Sequence, residues 1–108
     1  MTSQGIEVLT GSFSGTGQST TQVLWGVFNL FIFGTFSGSV QLERSYDTGV
    51  TWVPVSASQL GTTAAYTFPI SLSFQEIEPG MLYRLNCTSF SSGPILYRIA
   101  VGPYRLRF

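Results

Sequence analysis

The chain has 108 residues, 44% hydrophobic and 9% charged, with five basic and five acidic groups that leave no net charge. That length predicts a single domain, 1–108, and the zero balance excludes the basic footprint of a nucleic-acid binder. The absence of His, with Cys87 as the lone cysteine, excludes a zinc-type ligand set and an internal disulfide.

Residues 1–22 are rich in Gly, Ser and Thr, and two readings stand for them. Ile6, Val8 and residues 9–13 suit a first strand, while residues 1–12 also suit an arm, flexible or laid on a partner. Neither a basic leader nor an apolar segment opens the chain, so no signal peptide is read there. Residues 14–17, SGTG, form a turn without the lysine that a phosphate-binding loop requires.

Residues 23–36, VLWGVFNLFIFGTF, are the most apolar run, too short for a membrane span. Phe28, Leu30, Ile32 and Phe36 share one face, and Val27, Phe31 and Phe33 share the other. This predicts a central strand buried on both sides. The alternative is an outer stripe, Val27, Phe31 and Phe33, that packs on another subunit.

Residues 39–55 predict a β-hairpin. Val40, Leu42, Arg44 and Tyr46 alternate with Gln41, Glu43 and Ser45. Asp47, Thr48 and Gly49 supply a tight turn, and Val50, Thr51, Trp52, Val53 and Val55 form the returning strand.

Residues 57–63 read as a small-residue loop, and residues 64–68 as a short strand stopped by Pro69. Ile70, Leu72 and Phe74 alternate toward a core. Glu76 and Glu78 fall in what reads as a solvated turn with Pro79 and Gly80, not as an acid/base pair. Residues 81–90 and 95–101 predict a second hairpin that pairs Cys87 with Tyr97, Leu85 with Ile99 and Tyr83 with Val101. In that register Cys87 is a buried hydrophobe and Arg84 and Arg98 point outward together. The sequon at Asn86 is read as chance. The fold class expected is all-β, an antiparallel sandwich or jelly roll of about eight strands without significant helix.

Ser45, Asp47, Gly49, Thr51 and Trp52 match the pattern S-x-D-x-G-x-T-W, which resembles the Asp box of sialidases and other β-propellers. Its physical content is a structural turn at Asp47, Gly49 and Trp52. A propeller needs several blades of about 40–50 residues each, so the box supports the hairpin and not a glycosidase. The wider run QLERSYDTGVTWVPV followed by EPGMLYRLNCTSFSSGPILYR resembles small proteins encoded among tailed-phage virion genes. The resemblance covers about residues 34–99. It implies a virion structural protein of the head decoration or cement type, made in the host cytoplasm and carried on the phage head surface. Its partners would be the major capsid protein and further copies of itself, as a dimer or trimer.

Other features agree with that expectation. Charged content lies far below the roughly 25% usual in soluble domains, so a partner is expected to cover part of the surface. All five basic residues are arginines, which tolerate interfaces better than lysine. The expected contacts are Phe31, Phe33 and a C-terminal arm, 102–108, in which Tyr104, Leu106 and Phe108 alternate with Arg105 and Arg107; an edge strand is the other reading of that tail. No catalytic residue, cofactor, metal, nucleic-acid or membrane partner is expected. The alternative is a carbohydrate-binding or tail-associated phage module that stacks sugars on Trp25 or Trp52.

Overall fold

The computed structural model describes residues 7–55 and 65–101. These form two antiparallel sheets packed face to face, with no helix among the described residues. The first sheet holds β1 (Glu7–Phe13), β10 (Ile95–Val101), β4 (Gly26–Phe33) and β8 (Ile70–Glu76), in that order. The second is centred on β9 (Leu82–Ser92) and β5 (Ser37–Ser45). On the outer side of β9 run the short strands β2 (Gly17–Gln18) and β3 (Gln22–Val23). On the outer side of β5 run β6 (Val53–Pro54) and β7 (Ala65–Tyr66).

Period-2 alternation decides which side of each strand turns inward. Leu9, Ile99, Leu30 and Leu72 lie in one row across the first sheet, and on its edge strand Ile70 and Phe74 pack against the core as expected while Leu72 is 38% exposed. The inner face of this sheet faces Val40, Leu42, Tyr83, Leu85 and Cys87 of the second sheet, and these join one core. Each fully buried Leu, Ile or Phe contributes about 1.5–3 kcal/mol of transfer free energy. Phe28 ties the layers together. Its ring stacks on Phe74 at 5.4 Å and meets Tyr83 of the other sheet edge-on at 5.0 Å. Gly11 lies opposite Tyr97, where an added Cβ would run into the hydroxyl end of the tyrosine ring.

Four expectations change. The strand at 23–36 is not buried on both sides: Phe28, Leu30 and Ile32 are buried, but Val27 and Phe33 are exposed. Among the described residues only one other sheet covers it. The hairpin at 39–55 exists, but β6 returns for two residues only, Glu43 facing Pro54 and Arg44 facing Val53. Val50, Thr51 and Trp52 belong to the connecting loop, where Asp47 and Trp52 spend their hydrogen bonds inside the loop and not on a ladder.

The second hairpin is not formed. β9 pairs with β5, β2 and β3, while β10 pairs with β1 and β4, so the chain changes sheets at Gly93–Pro94. The residues expected to pair do share the core, but they face each other across it. Alternation specifies a buried face without saying whether its neighbour lies beside it or opposite it. Cys87 is buried as expected, whereas Arg84 and Arg98 leave through opposite faces of the sandwich.

The fourth concerns Glu76, which is buried at the end of β8 and not in a solvated turn. Of the two readings of the N-terminus, residues 7–13 take the strand. The expected loop at 57–63, residues 1–6 and the tail at 102–108 lie outside the described residues.

Candidate interaction surface

The two outer faces of the sandwich differ in chemistry. On the second sheet the polar groups satisfy one another. Glu43 is buried among donors: Arg84 Nε at 2.7 Å, Asn86 Nδ2 at 3.0 Å and Gln41 Nε2 at 2.5 Å. Burial pushes its carboxyl up, but the bonds from Asn86, Arg84 and Gln41 outweigh this and hold it below the usual carboxylate range. The Arg84 guanidinium then lies 4.3 Å from the Trp52 ring centre, a cation–π contact that covers one indole face.

Beside it stands the Asp-box loop. The Asp47 carboxylate accepts from Thr51 N–H and from the Ser45 hydroxyl, both at 2.8 Å. Trp52 Nε1 donates to the Gly49 carbonyl at 3.0 Å. Gly49 has φ +95°, a region that favours glycine. The expected structural turn at Asp47, Gly49 and Trp52 is therefore present, as a wide loop closed by side chains.

The outer face of the first sheet is different. Val27, Phe31 and Phe33 project from β4, Leu96 and Arg98 from β10, and Ser71, Ser73 and Gln75 from β8. Phe33 is 43% exposed. Arg98 lies with its guanidinium carbon 5.9 Å from the Phe31 ring centre. Phe31, Phe33 and Arg98 together line an open hollow of about 300 Å³. Of the expected contact residues, Phe31 and Phe33 thus sit together on a solvent-facing sheet; Tyr104, Arg105, Leu106, Arg107 and Phe108 lie outside the described residues. Trp25 is 57% exposed, on the link between β3 and β4.

Sequence reasoning missed a polar cluster inside the sandwich. Arg44 Nε and Nη2 each donate to Glu76 at 2.7 Å, Tyr83 donates its hydroxyl proton at 2.6 Å, and Glu78 N–H donates at 3.0 Å. Burial pushes the Glu76 carboxyl up, but the bonds from Arg44, Tyr83 and Glu78 outweigh it and hold it at about 2. Burial, reinforced by the Glu76 bond, pushes the Tyr83 hydroxyl well above the usual tyrosine range. A signal was available: Arg44 is in phase with Val40 and Leu42, and Glu76 with Ile70, Leu72 and Phe74. With every oxygen of Glu76 engaged, the cluster is an inter-sheet clamp and offers no free base.

No family model matches the chain, nor does any curated protein or solved structure.

Proposed function

We propose that this chain is a structural protein of a tailed-phage virion: a decoration or cement protein that binds the major capsid protein at the head surface and stabilises the shell. The observation that carries the reading is the outer face of the first sheet, where Val27 and Phe33 are exposed and the half-buried Phe31 stands beside Phe33 on the same strand face. Exposed aromatic surface of this kind, here Phe31 and Phe33 with Val27 beyond the polar Asn29, marks interaction sites. A charged content of 9% and the resemblance across residues 34–99 support the same reading. In it the protein acts by contact and not by catalysis, as a dimer or trimer on the shell, with the 102–108 tail as a further contact.

The exposed Trp25 favours a second reading, a carbohydrate-binding module, because an open indole can stack on a sugar ring. Trp52 serves it less well, since Arg84 already lies over its ring.

The test is quantitative mass spectrometry of purified heads from the phage that encodes the chain. The proposal expects stoichiometric amounts in intact heads, and loss of decoration when Tyr104 to Phe108 are deleted from an otherwise folded protein. Absence from virions, or selective binding on a glycan array, overturns it.

A further inference from the structure

We propose that copies of this chain join head to tail, the Ile77–Glu78 turn of one copy seating in the Phe31, Phe33 and Arg98 hollow of the next. The inference rests on reading the outer face of the first sheet as an interface, and it names what occupies the hollow.

Charge is the first argument. Among the described residues, Arg44 is spent on Glu76 and Arg84 on Glu43, which leaves Arg98 as the arginine without a carboxylate. No Asp or Glu holds an outward register position on β1, β10, β4 or β8. The neighbours of Arg98 in its row are Thr10 and Phe31, with Ser71 beyond. A guanidinium beside two phenyl rings therefore calls for a carboxylate that arrives with apolar surface. Two such faces laid on each other bring no carboxylate to Arg98, because none holds an outward register position on this sheet, so the symmetric arrangement supplies no such group.

The same chain carries the complement. Among the acids whose side chains are described, Glu43 and Glu76 are buried in ion pairs, and Asp47 is bonded within its loop. Glu78 is exposed, and beside it stands Ile77, 81% exposed. The turn is held in shape by the Glu78 N–H bond to Glu76, 3.0 Å, so little ordering is lost when it docks.

Geometry makes the contact intermolecular. Glu76 pairs with Gly26 at one end of β4, and the hollow lies at Phe31 and Phe33 toward the other. At about 3.4 Å per residue, five residues separate them by about 17 Å. A turn at one end and a socket at the other generate a ring if the rotation closes and a filament if it does not.

Sedimentation velocity of the full chain over a concentration series tests the proposal. Wild type should associate, and less so at high salt. Arg98→Glu and Glu78→Arg should each weaken association about tenfold or more, with unchanged far-UV spectra; Arg98→Gln and Ile77→Ser serve as milder variants. The Arg98→Glu/Glu78→Arg double variant should regain the wild-type series. Mixing the two single variants should restore association by alternation of the two, because each turn then meets a socket of opposite charge on the other variant. A wild type that stays monomeric, or association that these substitutions leave unmoved, overturns the proposal. Neither result depends on heads, so the virion reading stands or falls separately.

Discussion

Arg44 of β5 and Glu76 of β8 bind the two sheets to each other through a forked pair, two N–H donors each 2.7 Å from a carboxylate oxygen. The carboxylate side chain is 1% exposed and the arginine side chain 40%. One partner is thus withdrawn from water while the other keeps part of its hydration.

Removing one side of this clamp should destabilise the fold. Glu76→Ala strands the Tyr83 hydroxyl and one face of Arg44, at about 2–4 kcal/mol. The hydrated side of Arg44 favours the lower end. Replacing both partners, Arg44→Met with Glu76→Leu, should lose much less. Urea midpoints of the singles and the double variant measure the difference.

The same carboxyl sets an acid dependence. Its folded value, about 2, lies below the ordinary 4.5. The stabilisation is therefore complete above about pH 5 and fades as pH falls toward 2. Wild type should lose stability across that window, and Glu76→Gln should lose less. Parallel slopes for the two proteins between pH 5 and 2 would rule this out.

One-sided burial of β4 predicts opposite outcomes for neighbours on it. Leu30→Ala removes a fully buried side chain and should cost about 2–5 kcal/mol. Phe33→Ser, on the outer face, should stay within about 1 kcal/mol. Thermal unfolding of both variants decides between one covered face and two.

Cys87 is buried and burial raises its thiol pKa, so a thiol reagent should label it slowly in the native protein and rapidly in urea. Native labelling as fast as in urea would mean that the face it shares with Tyr83 and Leu85 is open.

The Asp-box loop responds to its backbone. Gly49→Ala forces a side chain into φ +95° and should cost about 1–3 kcal/mol. The Thr51 N–H bond is the main cause that holds the Asp47 carboxyl below its usual range, helped by Ser45. Protonation at low pH should therefore lower the protection of the Thr51 amide, its exchange rate relative to the intrinsic rate at the same pH, which amide exchange by NMR reads.

What the residues determined by themselves was local. Alternation in 39–45, 70–74, 81–87 and 95–101 specified strands and their buried sides, and the S-x-D-x-G-x-T-W run specified a side-chain-closed loop; both depend on contacts a few residues apart. The tertiary structure alone decided which buried face met which. Tyr83, Leu85 and Cys87 could lie beside Ile99 and Tyr97 in one sheet or oppose them across a core, and both arrangements hide the same surface. The pairing of β9 with β5 and of β10 with β4 chose the second. That choice left Phe31 and Phe33 without a cover, sent Arg84 and Arg98 through opposite faces, and brought Glu76 to Arg44. Such contacts join residues far apart in the chain, and hydrophobic patterning carries no record of them because it reports depth and not neighbour.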